Sequence, residues 1–272
     1  MKLGVAHEST YRFDPAMRGV VQSLRLTPSV FETQLTHRWS IEIDGATLGS
    51  GFRDGAGDWI ETAMVLGPVD SVTVRVSGDV ETTDAGGILK GHKERVRPET
   101  YMRPTQATKP DRALTDLAAH TVSSLTSEQS LDAAHALANA VSDAIAYTPG
   151  QTRQGTTAAE ALALGHGVCA DHAHSLIALA IASEIPARYV TGYLLSSEPG
   201  ASLEATHAWA ELWVKDVGWI GFDPSNRTCP DERYIRIGSG ADASEAAPIR
   251  GVAQGMGEEG LEIAVSVTQS QQ

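Results

Sequence analysis

The chain is poor in cysteine. Cys169 and Cys229 are the only two in 272 residues. Two thiols cannot build the disulfide framework of a small secreted domain. Their default reading is that of small buried hydrophobes, unless a position argues otherwise. No run of about 18 apolar residues is present, so no membrane-spanning helix and no membrane partner are expected. The first eight residues turn polar too soon for a signal peptide. The expected compartment is therefore the cytosol, where a free thiol survives. Basic residues are also scarce: 21 Lys and Arg stand against 34 Asp and Glu, a net charge of -13. That balance leaves no basic face and excludes a nucleic-acid partner.

What is present is ordinary globular material. Hydrophobic residues make up 42% of the chain, the level of a packed core rather than of a disordered segment. The length suits two domains. Residues 1–85 read as a β-domain, with short β-branched or aromatic runs at 35–43, 59–66 and 72–80. The run from Val72 alternates with period two, so one face is buried and the other is wet. Glycine-rich turns, among them Gly67-Pro68, separate the runs and suggest a sandwich.

Residues 86–110 read as a solvated linker, with a cluster of basic residues and three prolines. Helices are then expected from Pro110-Asp111 to about 122 and from Ser130 to about 145, each with an apolar stripe. A short helix capped by Thr157 covers 158–164. A longer one starts at Cys169 and is halted by Pro186. Strands are expected at 188–195, 207–214, 219–223 and 261–268. Residues 196–200 and most of 238–260 read as loop, and 269–272 as a frayed end.

Cys169 is the residue whose position argues for chemistry. A thiol at the first turn of a helix feels the positive end of the helix dipole, which favours thiolate. A thiolate needs a base and an orienting group to serve as an acyl-transfer nucleophile. His207 opens one strand and Asp223 ends the next, and the turn at 215–218 folds the two antiparallel. The carboxylate then comes within reach of the imidazole.

Other candidates have weaker claims. His166, Cys169, His172 and His174 lie close in sequence and invite a metal reading such as zinc. A helix starting at Cys169 spreads them over different faces, so histidines serving structure or lining the cleft are favoured. Asp171 suits the helix start. Trp209, Trp213 and Trp219 suit core packing between sheet and helices, Glu211 a sheet-edge salt bridge, and Arg188 and Tyr189 support of their strand. Cys229 reads as incidental. No cofactor and no metal are expected.

Four words in the sequence together resemble the core of the transglutaminase-like superfamily. They are Gly167-Val168-Cys169-Ala170-Asp171, the stretch 185–193, His207-Ala208-Trp209-Ala210-Glu211, and Gly218-Trp219-Ile220-Gly221-Phe222-Asp223-Pro224. Near the amino terminus, His7-Glu8-Ser9-Thr10-Tyr11 and Leu24-Arg25-Leu26-Thr27-Pro28 resemble the β-domain that precedes this core in bacterial members of the cysteine-protease type. Two places depart from the resemblance. His172 stands where relatives often carry an aromatic, and Gly240-Ala241-Asp242-Ala243 stands where an Arg-Asp-Tyr-like word is common.

The resemblance implies an α+β protein. A β-sandwich-like domain (1–85) and linker (86–110) lead into a papain-like catalytic unit (111–272) of helices on an antiparallel sheet. It also implies Cys169 as nucleophile, His207 as base and Asp223 as orienter. The expected activity is cysteine peptidase or amidase action on a peptide, isopeptide or protein amide. Transfer to an amine, as in a transglutaminase, and a non-catalytic peptide-binding scaffold are the alternatives. The superfamily covers all of these, so the fold does not name the substrate.

Overall fold

The structure is a computed structural model that describes residues 1–126, 128–196 and 206–269. Most of the expected loop at 196–200 and of the expected frayed end lies outside them.

The first sheet is built on two very long strands. β1 (Lys2–Leu24) runs antiparallel along β5 (Trp59–Thr82), and β2 (Gln34–Ile43) pairs with the far edge of β5. Two short strands, β3 (Ala46–Leu48) and β4 (Phe52–Arg53), also pair with β5. The expected strands at 59–66 and 72–80 are thus one strand. Gly67-Pro68 bends it without ending it, and Gly67 lies so close to the Arg18 backbone that a Cβ would collide. The register of β1 against β5 shifts on both sides of Met17 at this bend. Phe13, Met17, Val20 and Leu24 share one core with Ala63, Val69, Val72, Val74 and Val76. The two halves of the bent sheet therefore close on each other like a sandwich.

The helical unit follows a 3-10 turn at Pro98–Met102, of which Tyr101 is buried. α1 (Arg112–Val122) is capped by Asp111, whose carboxylate accepts the Leu114 N–H. α2 (Ser130–Ala144) leads into β6 (Ala146–Tyr147). α3 (Ala158–Leu164) opens with a reciprocal box: Thr157 Oγ1 accepts the Glu160 N–H, and Glu160 accepts the Thr157 N–H. β7 (His166–Gly167) then pairs with β6 in parallel, directly before α4 (Cys169–Ala182).

The second sheet has the antiparallel order β10-β9-β8-β11, from β8 (Ala187–Leu194), β9 (His207–Val214), β10 (Gly218–Phe222) and β11 (Tyr234–Gly240). Ala208, Ala210 and Leu212 pack with Leu176, Ile177 and Ala180 of α4, so the even positions of β9 face the helices. The fold is α+β.

Three expectations change. First, 238–260 is not one continuous loop, because nearly half of it is strand. β11 runs to Gly240, β12 covers Ile249–Ala253, and β13 spans Glu258–Gln269. Second, the segment 111–272 is not one unit, because β12 and β13 both pair with β1 and complete the first sheet. A 23-residue β1 has a second edge to satisfy, and the alternation of β13 buries Val265 and Val267 against Leu3, Val5, Tyr193, Ile235 and Ile237. Those residues come from both sheets and form a shared core. Third, 86–110 is not a solvated tether. Leu89 N–H donates to Trp219 O and Gly221 N–H to Gly87 O, so the connector lines the outer edge of β10.

A buried ion network also joins the units. Glu211 accepts Arg188 Nε at 2.7 Å and Arg236 Nε at 2.8 Å. Arg236 reaches on to Asp58, and Arg188 to Glu94 and the face of Trp219. Burial alone would raise the Glu211 carboxyl, but the two guanidinium groups outweigh it and bring it down to about 2. Glu211 is therefore an interior anchor and not a sheet-edge residue, because β9 has neighbours on both sides.

Candidate active site

Cys169 is the first residue of α4, where its N–H has no partner within the helix. Its position is braced from three directions. Asp171 accepts the Val168 N–H at 2.9 Å and the Thr152 hydroxyl at 2.7 Å. A Cβ on Gly167 would crowd the Asp171 side chain, so only glycine lets β7 pass this close to the helix. His172 is buried one turn into α4, with its two ring nitrogens 3.0 Å from Val168 O and 2.9 Å from Ile145 O. It ties the start of α4 to Ile145 at the end of α2, and both of its ring nitrogens are engaged.

His207 opens β9, and Asp223 follows the last residue of β10. Phe222 pairs with Ala210, which brings the two side chains together at the end of the hairpin. His207 Nε2 lies 2.6 Å from Asp223 Oδ2, with Asp223 1% exposed. Cys169, at the start of α4, is close enough to the same ring to act on its charge. With Nε2 held by the carboxylate, Nδ1 is the nitrogen left for the sulfur. Burial opposes charge on His207. The Asp223 bond and the Cys169 contact outweigh it and raise the ring pKa to about 10. Burial also works against the Asp223 anion, yet its hydrogen bonds bring it down to about 2.

The donors around Asp223 explain that stability. Oδ2 accepts Asn226 Nδ2 at 2.7 Å and the Tyr234 hydroxyl at 2.9 Å, besides His207. Oδ1 accepts the Ser225 hydroxyl at 2.6 Å and the Ser225 N–H at 3.0 Å. A turn through 223–228 delivers these donors: Asp223 N–H donates to Thr228 O, and Arg227 adopts a left-handed φ of 52°. The turn is pinned to α2, since the Ser142 hydroxyl donates to Pro224 O and Arg227 to Ser142 O. The word Asp223-Pro224-Ser225-Asn226 carries this turn chemistry and could have marked Ser225 and Asn226 as partners. Tyr234 had no such signal, because it arrives from β11 across the sheet.

The aromatic residues divide differently from the expectation. Trp209 lies on the face of β9 away from α4, its ring centroid 6.3 Å from His207 and 5.5 Å from Tyr234. Trp209 and Tyr234 thus wall the His207–Asp223 pair from the side. Trp219 stacks on Arg188 and gives its indole N–H to Glu94, in the interdomain network. Tyr147 of β6 sits against His172 at 6.3 Å. Its phenol pKa is raised, first by burial and then by Cys169 and Asp223.

The remaining histidines have protein partners. His166 Nδ1 is 3.1 Å from the Thr148 hydroxyl, and His174 Nε2 accepts the Ala243 N–H at 3.0 Å. The loop 240–243 therefore braces α4 from below. Among the described residues, no three His, Cys, Asp or Glu side chains converge to hold a metal. Cys229 is a free thiol whose pKa is raised by burial and by Asp84.

The chain is similar to known proteins in sequence and fold. Residues 115–224 match the transglutaminase-like superfamily, and residues 3–81 match the bacterial transglutaminase-like N-terminal region. An uncharacterized protein of Mycobacterium leprae is 26% identical over 283 residues, covering 98% of each chain. An uncharacterized protein of Mycobacterium tuberculosis is 36% identical over 125 residues, 43% of this chain and 40% of its own. A crystal structure of a "putative cysteine protease" from Cytophaga hutchinsonii shares the fold across 100% of this chain and 91% of its own, with a TM-score of 0.76 at 21% identity. The chain belongs to the transglutaminase-like superfamily, with the bacterial N-terminal region preceding its core.

Proposed function

We propose that the protein is a cysteine-dependent amide hydrolase, a peptidase or amidase, in which Cys169 attacks and His207 transfers protons. The observation that carries this reading is the alignment at one end of the hairpin. His207 Nε2 is held 2.6 Å from a buried carboxylate, and the thiol at the start of α4 is near enough to act on the charge of the same ring.

The chemistry follows from the placement. Cys169 Sγ adds to the amide carbonyl as the proton it has lost rests on His207. The carbonyl oxygen becomes an oxyanion, and the Cys169 N–H at the helix start favours that charge. His207 gives its proton to the leaving amine, the C–N bond breaks and a thioester remains on Cys169. Water, relieved of a proton by His207, then opens the thioester and restores the thiolate. Asp223 holds the ring in one tautomer and favours its charged form. A reducing compartment such as the cytosol fits this use of a half-buried free thiol.

The test is a thioester trap. Incubation with p-nitrophenyl acetate should release p-nitrophenolate in a burst of one equivalent and leave an acetyl mass on Cys169. Cys169→Ala should abolish the burst and the adduct while melting within a few degrees of the wild type. Turnover by Cys169→Ala close to the wild-type rate refutes the proposal.

A further inference from the structure

A cavity of about 220 Å³ opens beside His207. This is below the roughly 300–1,000 Å³ of sites for whole drug-sized ligands, and nearer the size of a single side chain. Its wall includes His207 and Asn226 but not Cys169. A cavity that touches the base and not the nucleophile lies on the side of the fragment that takes its proton from the base. In an acyl-transfer site, that fragment is the amine.

The surface of the cavity has a definite chemistry. Gly192 pairs with His207 and Leu194 pairs with Tyr234, so these four residues share one face of the second sheet. The space over Gly192 is filled by the Trp209 ring, which closes the cavity on that side. Leu194 comes next along β8, and Leu195 and Tyr147 extend the apolar wall. The polar side chains there are already engaged. The Ser225 hydroxyl, the Asn226 amide and the Tyr234 hydroxyl all donate to Asp223. Arg233 grips Asp231 through Nε and Nη2. A cationic side chain entering here would shed water and meet the Arg233 guanidinium, whereas an apolar one would cover Leu194 and Tyr147.

We infer that this cavity is the subsite for the residue on the amine side of the scissile bond, and that it selects an aliphatic or aromatic side chain there. The inference rests on the cysteine acyl-transfer reading above. Because amine departure and amine entry are the same step in opposite directions, an amine that replaces water must use the same cavity. In that reaction the amine nitrogen bonds to the acyl carbon, the C–S bond breaks, and the amine proton passes to His207 as the thiolate is restored.

The experiment is a partition measurement on the acetyl-enzyme formed with p-nitrophenyl acetate. Glycinamide, leucinamide and phenylalaninamide each compete with water, and N-acetyl amide and acetate are counted by mass spectrometry. Leucinamide and phenylalaninamide should capture the acetyl group on the order of tenfold more often than glycinamide at equal concentration. Leu194→Ala should reduce that preference severalfold. Amine and water compete for one acyl-enzyme, so the ratio is independent of how much of the variant is folded. A ratio near one in the wild type, or one that Leu194→Ala leaves unchanged, overturns the subsite while sparing the parent reading. If p-nitrophenolate release does not depend on Cys169, both fall together.

Discussion

Asp223→Asn changes one atom type at the most heavily hydrogen-bonded point of the site. Both oxygens of Asp223 face donors: His207, Asn226 and Tyr234 on one side, and the Ser225 N–H and hydroxyl on the other. An amide has one acceptor and one donor end, so either orientation turns an NH2 group toward donors. Leaving buried donors unsatisfied costs about 1–3 kcal/mol. For a chain of this size that lowers Tm by roughly 2–4 °C per kcal/mol. The second consequence is electrostatic. His207 is held at about 10 against the effect of its burial, partly by the Asp223 bond. A hydrogen bond to a charged group contributes about 1.5–3 kcal/mol, and one pKa unit is 1.36 kcal/mol, so neutralising the carboxylate should lower His207 by about one to two units. The raised ring stabilises the fold fully below its unfolded value of 6.5, and this contribution is lost as pH rises through about 10. In the variant the contribution is smaller, and its loss, which still sets in above 6.5, should be complete at a lower pH. An imidazole NMR titration of His207 and a thermal melt at pH 7 read the two effects separately. A His207 that titrates as in the wild type, in a protein with unchanged Tm, would falsify this account of the pair.

Two further outcomes follow from the same contacts. Tyr234→Phe removes one donor from Asp223 Oδ2, so the folded carboxyl should rise from about 2 toward 3.8. The stability tied to that carboxylate is present above 3.8 and lost as pH falls through its folded value. The acid-unfolding midpoint followed by circular dichroism should therefore move to higher pH, and an unmoved midpoint counts against the bond. Glu211→Ala strands Arg188 and Arg236 in the interior. Removing one partner of a buried ion network costs about 3–5 kcal/mol. The melt should fall by roughly 10 °C or more, and a fall of only 1–2 °C would show that water or Asp58 and Glu94 suffice to hold the two cations.

The candidate site is legible in the chain where local rules decide it. The turn at 215–218 sets an antiparallel hairpin, and the hairpin alone brings His207 to Asp223. The Thr157 cap and the apolar stripe after Cys169 place the helix start to within a residue. Ser225 and Asn226 are encoded in turn chemistry but need the folded turn to show which oxygen each one holds. Tyr234, Tyr147 and the Glu211 network leave no local trace, because their partners come from other strands and from the connector.

By itself the sequence determined the helices from α1 to α4, the hairpin of β9 and β10, the apolar face of each, and which thiol sits at a helix dipole. Those properties depend on neighbours within a turn or a pleat. Only the tertiary structure decided that β12 and β13 return to β1, that 87–89 pairs along β10, and that one cavity touches His207 without touching Cys169. Pairing between strands hundreds of residues apart is chosen by the burial of whole faces and the closure of exposed edges, and no local pattern in the chain carries that choice.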